Sequence, residues 1–134
     1  MIKSLQIKNY AIIEAVEINF SKGLTIVTGE TGAGKSILLG ALNLILGNRA
    51  DLKVLYNEQE KCVVEAQFDI RSYDLKVFFQ DNEIDYDDET VIRREILPSG
   101  KSRAFINDTP VNLNVLQQLS SALIDLHQQF DTLD

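Results

Sequence analysis

Residues 29–36 have the types and spacing that point most directly to chemistry. They read Gly-Glu-Thr-Gly-Ala-Gly-Lys-Ser and fit the phosphate-binding loop, whose glycines let consecutive backbone N–H groups point at one anion. Lys35 is expected to contact the β- and γ-phosphates of a nucleotide, and Ser36 to bind Mg²⁺. An ordinary glycine-rich turn is the alternative, but a turn needs no Lys-Ser pair at this spacing. The candidate nucleotide-binding residues are Gly29, Glu30, Thr31, Gly32, Ala33, Gly34, Lys35 and Ser36.

The flanking segments are those that would position such a loop. Residues 24–28 are short, apolar and β-branched, which predicts a buried strand. Residues 37–46 are mostly apolar and predict a buried helix, with Gly47 at its C-terminal cap. Strand, loop and helix in this order form the context that the motif requires.

Composition narrows the classes of protein to consider. The chain has 134 residues, 45% of them hydrophobic and 25% charged, and a formal net charge of −7. This balance predicts a globular protein that does not attract nucleic acid as a whole. Arg93-Arg94 and Lys101-Ser102-Arg103 would form a local basic patch if they face each other across a hairpin, but a solvated hairpin face is the simpler interpretation. The single cysteine, Cys62, excludes an intramolecular disulfide.

Alternating and helical patterns predict the remaining elements. A hairpin turning at Pro98-Ser99-Gly100 is the strongest signal. Asn112 or Asn114 is a plausible helix cap. No apolar run is long enough to cross a bilayer, so we expect a cytoplasmic protein without a membrane partner. The predicted strands are 2–9, 13–20, 61–70, 90–97, 101–107 and 123–127, and the other predicted helices are 73–82 and a segment following Asn112.

A P-loop enzyme that hydrolyses its nucleotide also needs an acidic residue at the end of a second apolar strand. Asp125 is the nearest candidate, but no glutamate follows it, and a polar residue closing a strand is the simpler interpretation. The acidic run 81–89 lacks the spacing of a calcium loop, and a solvated loop explains it better. The sequence therefore predicts a chain that binds phosphate but lacks the catalytic acid that hydrolysis needs.

The chain resembles the RecN family of bacterial DNA repair proteins, which are relatives of the SMC (structural maintenance of chromosomes) ATPases. The resemblance rests on residues 23–37, which contain the phosphate-binding motif, and on four further segments. These segments are Leu5-x-Ile7-x-Asn9-Tyr10-Ala11-Ile12-Ile13, Leu46-Gly47-Asn48-Arg49-Ala50, Gly100-Lys101-Ser102-Arg103-Ala104-Phe105-Ile106-Asn107 and Leu123-Ile124-Asp125-Leu126-His127-Gln128-Gln129.

This resemblance implies an α/β fold, the P-loop NTPase fold of an ABC/SMC-type ATPase head, with an antiparallel β subdomain. Residues 1–134 would be one N-terminal lobe of that head, without the coiled coil and the C-terminal lobe. Implied cofactors are ATP and Mg²⁺. Implied partners are DNA, the C-terminal half of the same head, and a second head in an ATP-dependent homodimer, at a nucleoid-associated location in the cytoplasm.

The resemblance also implies roles for residues outside the motif. Gln129 would be the glutamine-loop residue that meets the metal and the attacking water, and with Lys35 it completes the catalytic set. Gln128 stands where the family has glycine and Phe130 where it has histidine, which makes Gln128 a rival for the role. Arg49 resembles an arginine that couples DNA to the nucleotide site; an exposed arginine near a helix end is the alternative.

Two other functions remain open at this point. One is the nucleotide-binding domain of an ABC transporter, and the other is a non-catalytic, nucleotide-dependent interaction module. We expect the intact protein to be an ATPase and this chain to bind ATP without efficient turnover.

Overall fold

In the part of the chain that the structure describes, a six-stranded antiparallel sheet is the frame of the fold. The computed structural model describes residues 1–20, 32–50 and 55–123. The strand order in the sheet is β2-β1-β3-β4-β5-β6, and each neighbouring pair is antiparallel. The strands are β1 (Ile2–Tyr10), β2 (Ile13–Asn19), β3 (Cys62–Asp69), β4 (Glu89–Ile96), β5 (Ser102–Ile106) and β6 (Thr109–Val111), and the helices are α1 (Gly32–Ile45), α2 (Lys76–Asp81) and α3 (Leu113–Ala122).

Alternation along the strands decides which face of the sheet becomes the core. In β3, Cys62, Val64, Ala66 and Phe68 are at most 1% exposed, while the residues between them are half-buried. Side chains two positions apart point to the same face of a strand, so this face is continuous and apolar. Helix α1 packs on β3 and β4, and α3 packs on β5.

Turn chemistry fixes the register of the β4–β5–β6 unit. Gly100 has a φ of +96° in the β4–β5 turn, where Leu97 N–H donates to the Lys101 carbonyl at 2.8 Å. Asn107 and Asp108 have φ of +50° and +67°, the two positive values that a two-residue type I′ hairpin turn requires. The predicted hairpin is confirmed, and the turn at 107–108 leads into the short strand β6, which the sequence pattern does not predict.

The helix predicted over 73–82 is two shorter elements. Residues Arg71–Tyr73 form a 3₁₀ turn, and α2 begins only at Lys76. Asp74, between them, has a φ of +52°, and a residue in the left-handed region cannot continue a right-handed helix. Phe79 on α2 is buried and packs edge-to-face against Phe78 and Tyr86.

Helix α3 begins at the predicted cap and ends before the predicted last strand. The Asn112 side chain accepts from Val115 N–H at 2.9 Å, which satisfies a donor that the first helical turn leaves open. Leu123, predicted to begin a strand, instead closes α3 with its N–H on the Leu119 and Ser120 carbonyls. Predictions for 24–28 and for the rest of 123–127 lie outside the described residues. Within the described ranges, none of the helices has the length and apolarity needed to cross a membrane.

Candidate nucleotide-binding site

Helix α1 presents the second half of the predicted phosphate loop at its N-terminus. The helix begins at Gly32, five residues before the predicted start, and runs for 14 residues. Lys35 is half-buried and Ser36 is exposed in the first turns, and no acidic residue lies there. Residues 29–31 lie outside the described part of the chain.

These residues fit an anionic ligand with a bound cation. The unpaired backbone N–H groups of a helix start carry a partial positive charge, and the Lys35 ammonium adds a full one. No carboxylate in the first turn opposes this field. The Ser36 hydroxyl offers one oxygen ligand, and the described chain holds no cluster of three His, Cys, Asp or Glu side chains that would bind a metal without a nucleotide. Among the described residues a metal here would have the Ser36 oxygen as a ligand, and Mg²⁺ commonly takes further ligands from substrate phosphates and water.

The side chain of Tyr10, at the end of β1, packs closely against the middle of α1. Gly40 faces Tyr10, and a Cβ atom at Gly40 would overlap the Tyr10 hydroxyl. Tyr10 is 9% exposed, and burial raises the pKa of its hydroxyl, which stays neutral at pH 7. Leu38, Ala41 and Ile45 on the helix are buried in the core. The glycine inside this apolar helix thus lets the helix approach the sheet.

The C-terminal end of α1 forms a Schellman motif. Gly47 has a φ of +93°, and its N–H donates to the Leu44 carbonyl at 3.1 Å. Asn48 N–H donates to the Asn43 carbonyl at 3.1 Å. These two bonds define the motif and satisfy carbonyls that a helix end leaves open. The prediction of Gly47 as the C-terminal cap is confirmed.

Arg94 of β4 contacts this helix end through two hydrogen bonds. Its side chain has no solvent exposure, and its Nη1 donates to the Leu44 carbonyl at 2.8 Å and to the Asn48 carbonyl at 2.9 Å. Nη2 donates to the Ser102 hydroxyl of β5 at 2.7 Å. Burial lowers the pKa of Arg94 from its very high ordinary value, and the partial negative charge at the end of α1 favours its charged form.

From the sequence alone, Arg94 is a candidate member of a basic surface patch with Arg93. The register shows why the two differ. Arg94 shares a face with Ile92 and Ile96, both fully buried, whereas Arg93 points to the opposite face. The alternation of β4, applied from Ile92 onward, would have identified Arg94 as a core residue.

Acidic side chains already neutralise the basic residues of that opposite face. Arg93 lies 4.3 Å from the Phe105 ring centroid, contacts Asp108 at 2.9 Å and contacts Glu95 at 3.3 Å. Glu95 also pairs with Arg103 at 2.8 Å and with a lysine, Lys61, at 3.4 Å. This face is therefore a network of paired charges, and it provides no cluster of unpaired cations for nucleic acid among these residues.

The segment after α1 carries Arg49, the candidate coupling residue. Arg49 is exposed and follows directly on Asn48, whose carbonyl Arg94 holds. The other candidates from the resemblance, Gln128 and Gln129, lie beyond the described part of the chain, as do Asp125 and His127. The structure therefore brings Lys35 and Ser36 together on one helix end and sets Arg49 at the other.

A cavity of about 350 Å³ lies away from α1, at the ends of β4 and β5. Its carboxylates disfavour a phosphate ligand, because like charges repel. The acidic run 81–89 contributes most of them, and the described residues contain no group of three His, Cys, Asp or Glu side chains placed to hold a metal ion. The lining residues are Glu65, Asp85, Tyr86, Asp87, Glu89, Val91, Asn107 and Asp108.

Burial also explains why the single cysteine is not a reactive group. Cys62, the first residue of β3, has no solvent exposure. Burial raises the pKa of its thiol to about 11, although the nearby Arg94 acts in the opposite direction. The thiol is therefore neutral at pH 7, and the thiolate is the reactive form.

Comparisons with known proteins agree with this geometry. A family profile described as an AAA domain matches residues 4–134. A protein of Vibrio cholerae named DNA repair protein RecN is 42% identical over 130 residues, covering 96% of this chain and 24% of that protein. Its namesake in Xylella fastidiosa (strain Temecula1) is 39% identical over 132 residues, covering 98% and 24%. The chain thus spans about a quarter of the length of these curated relatives.

Solved structures of SMC proteins share the fold. One, from a study of ATP-driven dimerization and DNA-stimulated activation of SMC ATPases, has a TM-score of 0.68 at 24% identity and covers 92% of this chain and 79% of that chain. The Smc head domain with a coiled coil and joint from Pyrococcus yayanosii has a TM-score of 0.66 at 25% identity, covering 90% and 25%. The described sheet and helices therefore match the N-terminal lobe of a P-loop ATPase head, as predicted.

Proposed function

The chain belongs to the AAA domain family and, within it, to the RecN group of proteins named for DNA repair, and from this premise we propose that it is the ATP-binding part of a DNA repair ATPase. Membership of the family implies nucleotide binding. The observation that carries the proposal is the start of α1, where Lys35 and Ser36 lie in the first two turns and the first turn has no acidic residue. The transporter alternative is not favoured, because the relatives carry DNA repair names.

ATP and Mg²⁺ are the proposed ligands of this helix start. Backbone N–H groups of 29–36 would hold the phosphates, Lys35 would neutralise the terminal ones, and Ser36 would ligate Mg²⁺. The cation would supply charge neutralisation on the phosphate oxygens. The anchoring of α1 at Gly40 and at Gly47 supports the proposal, because preorganised charges stabilise a ligand without a further ordering cost.

Hydrolysis is proposed to require parts of the protein beyond this chain. Residues 1–134 would form one lobe of a head, and Gln129 would meet the metal and the attacking water. The catalytic acid would come from the C-terminal half of the same head, since the first turn of α1 itself contains no acidic residue. The chain alone would then bind ATP without efficient turnover, as an interaction module does.

DNA and a second head are the proposed partners of the whole protein. The related SMC structure comes from work on ATP-driven dimerization and DNA-stimulated activation, which supports both. Arg49 would couple DNA to the nucleotide site, as its resemblance to the arginine of SMC-type heads implies; its exposure one residue beyond the held end of α1 is compatible with that role. Paired charges on the β4–β5 face argue against DNA binding there. The location that follows is cytoplasmic and nucleoid-associated.

Nucleotide titration of two lysine variants tests the proposal. Lys35→Ala should weaken ATP affinity at least about tenfold, since a hydrogen bond to a charged group contributes about 1.5–3 kcal/mol. Lys101→Ala is the matched control, because it removes the same charge from the exposed β4–β5 turn. Equal ATP affinity in both variants and the unmodified protein would refute the assignment of the phosphate-binding site.

A further inference from the structure

Three elements meet at the C-terminal end of α1. Arg94 from β4 donates to the carbonyls of Leu44 and Asn48. Ser102 from β5 accepts from the second terminal nitrogen of Arg94. Gln117 from α3 donates through Nε2 to the Gly47 carbonyl at 3.0 Å. We call these contacts the α1 clamp. The clamp binds three carbonyls at the end of the helix and in its cap. Arg94 binds two of them from the sheet, and Gln117 binds the third from α3.

The buried Arg94 does more at this point than pack in the core. Ile92 and Ile96 occupy the same face of β4, and an aliphatic side chain at position 94 would pack there without desolvating a charge. No carboxylate pairs with Arg94 among the described ion pairs, and its Nε has no hydrogen-bond partner. The acceptors it does reach are main-chain carbonyls of α1 and its cap, together with one hydroxyl. The arginine is therefore directed at the helix end.

Helix α1 connects this clamp to the phosphate-binding residues. Its 14 residues span about 21 Å, at roughly 1.5 Å per residue. Lys35 and Ser36 lie at one end, and Leu44 lies at the other. A helix is stiff along its axis, so a change of tilt or axial position at the clamped end also moves the start of the helix.

We propose that Arg94 and Gln117 are positioning residues that fix the axial position of α1, and thereby the placement of Lys35 and Ser36 on the phosphates of a bound nucleotide. This inference rests on the proposed function. Neither residue touches the nucleotide. The clamp joins the C-terminal end of α1 to β4, β5 and α3, so a nucleotide bound at the start of the helix and the clamp at its end restrain the same rigid element.

The experiment uses the full-length protein that contains this chain and two pairs of matched variants. Arg94→Lys keeps the charge but loses the fork that reaches two carbonyls and a hydroxyl, and Arg93→Lys is its control on the opposite face. Gln117→Ala removes an exposed side chain from α3 and keeps the fold, and Gln118→Ala, the next exposed residue, is its control. ATP turnover and amide hydrogen exchange over 41–50 are measured, the latter with and without a non-hydrolysable ATP analogue.

In the unmodified protein the analogue should slow exchange of the Gly47 and Asn48 amides, and Arg94→Lys and Gln117→Ala should lose this effect. In both, kcat should fall about tenfold or more while KM changes less than about threefold, because a misplacement of about 1 Å costs up to about 100-fold in a transition state. The controls should behave like the unmodified protein.

Unchanged kcat and unchanged nucleotide-dependent exchange in both clamp variants would overturn the proposal. A fall that merely follows the folded fraction would overturn it as well, because it would show a role in stability alone. If the unmodified protein fails to bind the analogue at all, the proposed function fails and this inference fails with it. The two failures are therefore distinguishable.

Discussion

Replacing Gly40 with alanine reverses the usual effect of that change in a helix. Alanine in place of glycine within a helix normally stabilises it by about 1 kcal/mol. At position 40 the added Cβ would overlap the Tyr10 hydroxyl and lie 3.3 Å from the ring carbon that carries it. Overpacking a buried site costs about 1–3 kcal/mol. We therefore expect Gly40→Ala to lower the free energy of unfolding by up to about 2 kcal/mol.

The partner of this contact can be changed separately. Tyr10→Phe removes the hydroxyl and leaves the ring carbon at 3.3 Å, a distance that a small shift relieves. In the Tyr10→Phe background, Gly40→Ala should be neutral or stabilising by up to about 1 kcal/mol, as helix propensity alone predicts. The coupling energy of this double-mutant cycle should reach about 1–3 kcal/mol.

Urea denaturation of the four proteins, monitored by circular dichroism, measures these free energies. Equal m-values across the set would show that the unfolded state is unchanged. If Gly40→Ala stabilises the protein when Tyr10 is present, α1 does not approach β1 as closely as described. The same result would remove the anchoring argument for the start of α1.

Two further predictions concern single contacts. Asn112→Ala should lower the free energy of unfolding by about 1 kcal/mol, since the hydrogen bond from Val115 N–H at 2.9 Å caps α3. The control is Asn114→Ala, at an exposed position one residue into the helix. An equal loss of stability in this control would contradict the prediction. The Arg71 guanidinium bonds the Asp69 carboxylate and lowers the pKa of Asp69 well below its usual range. The stabilisation from this pair is present above the unfolded-state pKa of about 3.9 and is lost as pH falls below it. Between pH 6 and pH 2, the urea midpoint of Asp69→Asn should therefore fall less steeply than that of the unmodified protein. Parallel curves of midpoint against pH for the two proteins would contradict the assignment.

Local chemistry made several elements predictable from the sequence. Gly47 was recognisable as a C-terminal cap, and Asn112 as one of two candidate N-terminal caps with Asn114, because glycine and asparagine are the residue types that helix ends favour. Pro98-Ser99-Gly100 indicated a hairpin for a similar reason. The glycine-rich loop with Lys35 and Ser36 pointed to a phosphate site, and that assignment stays a prediction.

Features that depend on tertiary context were not predictable in the same way. Asp74 breaks the segment 73–82 with a positive φ, and its residue type permits this conformation without requiring it. Asn9 also has a positive φ, and its buried side chain donates to the carbonyls of Asn57, Glu60 and Lys61 at 2.9–3.2 Å. These contacts join residues about 50 positions apart, so no local pattern reveals them.

Arg94 shows how the two kinds of information combine. Its type suggested a surface cation, while the alternation of β4 places it in the core. Only the position of the α1 end in three dimensions explains why a charge belongs there, since the Leu44 and Asn48 carbonyls compensate it. A buried charge is thus best interpreted from its acceptors.

The most direct test of the account is ATP binding and hydrolysis, with and without DNA, by this chain alone and mixed with the remainder of the protein made separately. We predict that the chain alone binds ATP through Lys35 and does not turn it over, and that turnover and its stimulation by DNA arise only in the mixture. Turnover by the chain alone would contradict the account and would make Asp125 the candidate acid.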